Sequence, residues 1–287
     1  MIIVTGARGF VGRNLVEKLK QITKKKIVTV DFYEPHMNPL VLFDFLEHNG
    51  SQVEVIFHNG ACSDTTESSL FHMMGRNTDY TIDLVRACIR YDIRLIYASS
   101  ASVYGDGPYV ETSDYRPKNL YATSKSVVDL YCSMLFGKTS QLVGLRYFNA
   151  YGKYEENKDH MASVVYKFFN QMKSGKIQLF NNSHNYKRDF IYIDDVVDMN
   201  LFFYDNPQYN GIYNIGTGVE RSFLDIANIF LEKYDVEIEY IPMPVELVGK
   251  YQSYTRSDNS KISKICDHKY RTLEEGVLKY LSYLESS

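Results

Sequence analysis

Residues 1–12, MIIVTGARGFVG, decide the fold. The apolar run Ile2-Ile3-Val4 reads as a buried β-strand, Gly6, Gly9 and Gly12 form a tight turn, and Leu15, Val16 and Leu19 continue at helical spacing. Glycine in such a turn lets the backbone approach a pyrophosphate, and the free N–H groups of the helix's first turn attract its charge. Three glycines alone are weak evidence. A second apolar strand, Ile27 to Val30, strengthens the reading because it ends in Asp31, where a carboxylate can accept hydrogen bonds from adenosine ribose hydroxyls.

Further strand-like runs follow at Val53 to His58, Arg94 to Ser99 and Gln141 to Phe148, separated by helical patterns over about 13–22, 68–91 and 119–136. This alternation predicts an α/β fold, a doubly wound parallel sheet with helices on both faces, with ligands outside the carboxyl ends of the strands. After Tyr151-Gly152 polar stretches interrupt shorter elements, so a smaller mixed α/β substrate-binding lobe is expected. The strand-like Ile212 to Ile215 and the helix pattern from Phe223 to Tyr234 look like a return to the sheet. The expected division is 1–152 with 210–234 for the dinucleotide and 153–209 with 235–287 for the substrate.

At 287 residues the chain can bury roughly 75% of its unfolded surface. A net charge of −3 and a pI near 6.2 give no footprint for nucleic acid or an anionic membrane. No apolar stretch approaches the roughly 20 residues that span a bilayer, and the chain opens on its first core strand, so a cytoplasmic protein is expected. Cys62, Cys88, Cys132 and Cys266 form no Cys-x-x-Cys pair, and no His-Glu-x-x-His motif occurs. Neither a disulfide framework nor a metal site is indicated.

Tyr121 and Lys125 stand four apart in a helical segment, on one face. An ammonium beside a phenol favours the phenolate and lowers a pKa of about 10, which makes tyrosine an acid/base near neutrality. Tyr154 and Lys158 share the spacing but sit in a charged loop. Tyr121 instead follows a strand that ends in the hydroxyl-rich Ser99-Ser100-Ala101-Ser102 at the carboxyl edge of the sheet.

With TGxxGxxG at 5–12, Asp31, ASSASVYG at 98–105, Tyr121-x-x-x-Lys125, RYFNxYG at 146–152 and RDFIY at 188–192, the chain resembles the extended short-chain dehydrogenase/reductase family over nearly its whole length. The resemblance implies a Rossmann-like fold, hydride transfer to NAD or NADP, and a nucleotide-activated sugar as substrate. It places Gly6, Arg8, Gly9, Phe10, Gly12, Asp31, Asn77, Tyr121 and Lys125 around the cofactor. Ser100 holds the substrate hydroxyl, Tyr121 exchanges its proton and Lys125 also binds the nicotinamide ribose. Ser63, Ser100, Asn149, Ser163, Arg188 and Tyr251 are the implied substrate contacts.

HNGACSDTTE at 58–67, YKRDF at 186–190, and IPMP at 241–244 running on to GKYQSYT at 249–255 narrow the resemblance to epimerases of ADP-heptose, with Lys187 as a second base. The family habit implies a homo-oligomer. Two departures concern the cofactor: the segment 32–49 lacks a lysine-containing loop, and Arg8 replaces a small residue. Arg8 could meet solvent or a 2′-phosphate, whereas Asp31 repels one, which favours NAD. A 4-epimerase or ketoreductase keeps the fold but moves the reacting carbon, and a non-catalytic cofactor-sensing protein is disfavoured by the intact Ser100, Tyr121 and Lys125. Dehydratases of the family carry an acidic pair where Ala101-Ser102 stand here.

Overall fold

The computed structural model describes residues 1–31, 38–245 and 252–286. The first part of the chain runs β1 (Ile2–Thr5), α1 (Phe10–Ile22), β2 (Ile27–Val30), α2 (Pro39–Asn49), β3 (Val55–His58), α3 (Leu70–Met74), a π-turn at Gly75–Asp79, α4 (Tyr80–Tyr91), β4 (Arg94–Ser100), α5 (Leu120–Ser133) and β5 (Leu142–Tyr147). The second runs β6 (Asn149–Tyr151), α6 (Val164–Met172), β7 (Lys176–Phe180), β8 (Lys187–Tyr192), α7 (Ile193–Asp205), β9 (Gly211–Ile215), β10 (Glu220–Ser222), α8 (Phe223–Lys233), β11 (Glu237–Ile241) and α9 (Leu273–Ser286).

Six parallel strands form one sheet in the order β2-β1-β3-β4-β5-β9. Alternate side chains leave β1 on opposite faces, so Ile2 and Val4 join one apolar cluster and Ile3 joins the other. All three are fully buried, as expected of strands covered on both faces. Helices α1 and α7 pack together, as do α4 and α5. The chain winds outward from β1 to β2 and then crosses back to β3, so a crevice opens at the carboxyl ends of β1 and β3. The glycine turn follows one, and Asn59-Gly60 the other.

Outside this sheet, β10-β8-β6 and β11-β7 make two small sheets. The strand expected at 212–215 does return to the main sheet, as β9. Its following helix does not accompany it: α8 packs on α6, α9 and β7, so residues 223–233 lie with the second group of elements. Helix α2 escaped the sequence reading, although Asn38, which caps Leu40 and Val41, and Pro39 in the first turn signal its start. Among the described residues no helix is long and apolar enough to cross a membrane.

Candidate active site

The glycine turn is a cradle in which side chains do not fit. Gly6 has φ +63°, and a Cβ there would lie 2.6 Å from the Gly60 nitrogen, while one on Gly12 would strike the Gly6 carbonyl. Gly9 caps α1 with no side-chain acceptor, and no acid stands in the first turn, whereas Asn119, Ser163 and Ser222 cap α5, α6 and α8. The amino end of α1 is left to receive an anion from outside. Asn59, beside the cradle, is half-buried, and its two amide atoms are shielded from solvent with neither hydrogen-bonded. Asp31 follows β2 and accepts the Arg8 N–H at 3.0 Å, and the Arg8 side chain is exposed. Phe10 receives the Asn14 amide on its carbonyl at 2.8 Å and the Lys158 ammonium 4.4 Å from its ring centroid. Diphosphate at α1 and ribose at Asp31 fit what these residues present.

Ser100 ends β4, and Tyr121 and Lys125 lie in the first two turns of α5, whose start is fixed by Asn119 accepting from Ala122 at 2.8 Å. The fold brings the three together. The Ser100 hydroxyl acts on the Tyr121 phenol and lowers its pKa, but burial is the larger effect and leaves the phenol above its ordinary value. The expected depression by Lys125 is not the resting arrangement: its ammonium donates to the Ala98 carbonyl at 2.8 Å and stands 5.9 Å from the Tyr121 ring centroid. Burial pushes Lys125 itself down to about 8, with Asp129 opposing. With its pKa raised, the Tyr121 phenol holds its proton, and positive charge beside it would favour the phenolate. The pair at Tyr154 and Lys158 separates, Tyr154 turning to Glu17 at 3.1 Å and Lys158 to Glu155 at 3.0 Å.

Asn77 is fully buried in the π-turn. Its Oδ1 accepts from the Cys62 N–H at 2.7 Å, and its Nδ2 reaches the Cys62 carbonyl at 2.9 Å and Ser124 Oγ at 3.0 Å. Ser124 in turn donates to the Tyr121 carbonyl at 2.7 Å. From the other side Thr81 donates to the Asn77 carbonyl at 2.5 Å, so it must accept from His58 Nε2, 2.9 Å away. His58 Nδ1 then accepts from Thr5, 2.7 Å away, whose hydroxyl oxygen takes the Gly60 N–H at 3.1 Å. One tautomer of neutral His58 satisfies every link, and burial holds its pKa down to about 3. The sequence reading gave His58, Thr81 and Ser124 no role; a histidine ending an apolar strand was their only signal.

The other expected residues are more dispersed. Ser163 caps α6 and donates to Glu155 at 2.6 Å, an engagement within the second group of elements. Asn149 donates to the Asp189 carbonyl and to Thr255 Oγ1, both at 3.1 Å. Arg188 is buried, giving hydrogen bonds to the Lys187 and Gln252 carbonyls. Gln252 reaches the Gly105 carbonyl and the Tyr109 hydroxyl, which joins β8 to the turn after β4. Ser63 is exposed. Lys187 is exposed at the start of β8, its N–H given to Ser253 at 2.9 Å; among the described residues no hydrogen bond or ion pair joins its side chain to Ser100 or Tyr121. Tyr251 lies outside the described residues. Asp189, given no role in the sequence reading, is fully buried and accepts from the Thr217, Gly218 and Ser257 amides at 2.8, 2.9 and 2.9 Å, which ties the turn at 217–218 and the segment at 257 to β8.

Residues 2–216 match the model of the NAD dependent epimerase/dehydratase family. The chain belongs to this family. It is 42% identical over 313 residues to an ADP-L-glycero-D-manno-heptose-6-epimerase from Brachyspira hyodysenteriae, covering 100% of this chain and 98% of that protein. The crystal structure of Helicobacter pylori ADP-L-glycero-D-manno-heptose-6-epimerase superposes with a TM-score of 0.86 at 28% identity, over 100% of this chain and 96% of the other. A UDP-N-acetylglucosamine 4-epimerase from Methanobrevibacter ruminantium gives 0.87 at 22% identity, over 99% and 98%, a likeness of fold alone. Family membership agrees with the Rossmann-like sheet, the NAD cradle and an enzyme of the nucleotide-sugar epimerase kind.

Proposed function

We propose that the protein interconverts ADP-D-glycero-D-manno-heptose and ADP-L-glycero-D-manno-heptose at C6 of the sugar. The observation that carries the reading is full-length likeness to a heptose epimerase in a chain that keeps Ser100, Tyr121 and Lys125 in one site. NAD, when bound, supplies the acceptor and donor of the C6 hydride. Ser100 and Tyr121 face one hydroxyl: Ser100 orients it, and the phenolate oxygen of Tyr121 takes its proton as the C6 ketone forms. Lys125 helps hold the nicotinamide ribose, and its charge supports the phenolate. Once the ketone has turned, the proton must arrive from the other side, and Lys187, on a strand tied through Gln252 to the turn after β4, is the second proton carrier. The alternative epimerases and ketoreductases act at another carbon. Incubation with ADP-D-glycero-D-manno-heptose and chromatographic separation of the C6 epimers tests the assignment: an equilibrating mixture supports it, and recovery of unchanged substrate from NAD-loaded protein overturns it. The same reading takes the enzyme as cytoplasmic and as a homo-oligomer, the exposed Phe71 and Met134 supporting the association.

A further inference from the structure

Cys62, Glu67 and His72 stand at five-residue intervals on the loop after β3 and on α3. The fold gathers them: sulfur, carboxylate oxygen and imidazole nitrogen lie within 4.8 Å of one another, each residue partly exposed. We propose that these three side chains form a site for a thiophilic divalent cation, Zn²⁺ being the ion that suits them, and that its occupancy inhibits the enzyme.

One thiolate, one imidazole and one carboxylate, with a fourth position open to water, are a ligand set that zinc accepts in tetrahedral geometry. Bonds of about 2.0–2.3 Å put such ligands about 3.3–3.8 Å apart, so side-chain rotations of about 1 Å close the site. The supporting contacts are already made. Asn77 holds the Cys62 backbone by both its N–H and its carbonyl. Ser69 gives its N–H to one Glu67 oxygen at 2.7 Å, leaving the other to turn to a metal, and its hydroxyl accepts the His72 N–H at 3.2 Å. Such outer contacts orient metal ligands. Among the described residues the other comparable cluster is Asp195, Asp198 and His268, but the Arg271 guanidinium already occupies the Asp195 carboxylate, so a cation there would displace that counter-charge.

Binding replaces the Cys62 S–H by a sulfur–metal bond, the proton leaves to solvent, and no electron moves. The consequence for catalysis follows from position. Asn77, which holds the Cys62 backbone, also reaches Ser124, and Ser124 donates to the Tyr121 carbonyl, so Cys62 lies where its charge bears on both the Tyr121 phenol and the Lys125 ammonium. A dication on that sulfur puts positive charge beside Lys125 and favours its uncharged amine, which removes the ammonium that the proposed reaction uses to hold the ribose and support the phenolate, and the metal also adjoins Ser63, an expected substrate contact.

The test uses untagged, chelator-stripped, full-length protein titrated with Co²⁺ and then Zn²⁺. One Co²⁺ per chain should bind with a thiolate-to-metal charge-transfer absorption that Zn²⁺ abolishes. His72→Gln and Cys62→Ser should each weaken Zn²⁺ binding at least tenfold in competition with a chromophoric chelator, and Cys266→Ser should leave it unchanged. His72→Gln should keep the basal activity and shift the Zn²⁺ inhibition curve by the same factor as the binding curve. Absence of the absorption band, its loss in Cys266→Ser, or unchanged affinity in His72→Gln would overturn the site. Zn²⁺ binding without inhibition would overturn its effect on the enzyme. If Cys62→Ser does not fold, His72→Gln decides. The binding measurement is independent of which sugar the enzyme takes.

Discussion

Arg146 Nε meets Asp129 Oδ2 at 2.8 Å with both side chains completely buried. Asp129 lies on α5, four residues beyond Lys125 and eight beyond Tyr121, and Arg146 lies in β5, so the pair ties the helix that carries Tyr121 and Lys125 to the sheet beneath it. Tyr97 donates to the other Asp129 oxygen at 3.1 Å, and Tyr104 and Tyr115 accept from the guanidinium at 2.7 and 3.0 Å. Removing one partner strands the other charge in the core. Arg146→Met is expected to lose ~3–5 kcal/mol of stability in urea unfolding; a loss below 1 kcal/mol would mean that the tyrosines alone can carry Asp129.

Tyr121→Phe removes the hydroxyl proposed to exchange the proton while keeping the ring that α5 packs. The rate should fall roughly 10²- to 10⁴-fold, with NAD affinity and unfolding midpoint close to those of the parent. Turnover at the parent's speed, followed by C6-epimer separation, would assign the proton transfer to another group.

Lys125→Met is expected to raise stability while lowering activity. Burial holds the folded-state pKa of Lys125 near 8, against 10.5 for an ordinary lysine. Between those values the unfolded chain binds more protons, so this group's contribution to stability rises with pH across that window, and below it the full cost of the buried charge persists. The variant is expected to be more stable than the parent at pH 7, by up to ~3 kcal/mol, with the difference fading towards pH 10.5. Rate and cofactor affinity should both drop. Urea titrations of the two proteins at pH 7 and above pH 10 decide it, and a less stable variant at neutral pH would show that the bond to Ala98 outweighs burial.

Lys187→Met tests the two-sided proton scheme. Conversion of ADP-heptose at C6 should stop while NAD binding persists, and the parent enzyme should release no NADH during turnover because the hydride returns to the carbon it left. Undiminished epimerisation by the variant would leave Tyr121 serving both faces, and stoichiometric NADH release would make the enzyme a dehydrogenase.

The parallel sheet was legible because its strands are short apolar runs, several of them closed by glycine, aspartate, histidine or serine at the carboxyl end, and the cradle because backbone geometry requires glycine at 6 and 12. Tyr121 and Lys125 were legible as a spacing, which fixes a shared face, but spacing says nothing of which acceptor the ammonium chooses, and it chose Ala98. The Arg146–Asp129 pair and the Asp189 clamp join residues far apart in sequence, so only strand register reveals them. The Cys62, Glu67 and His72 group follows none of the motif spacings for zinc and emerges only when the loop folds against α3.

The π-turn at Gly75–Asp79 makes chain length itself part of the site. There the Tyr80 N–H bonds back to the Gly75 carbonyl, one residue further than in an α-helix, and Asn77 sits inside the widened turn. Excising one residue from this segment would restore regular winding and swing Asn77 by about 100° around the helix axis, away from Cys62, Ser124 and Thr81, without altering any catalytic side chain. Comparison of aligned letters is blind to such a change: two homologues could share every residue named in this site and differ in activity through a single gap placed here.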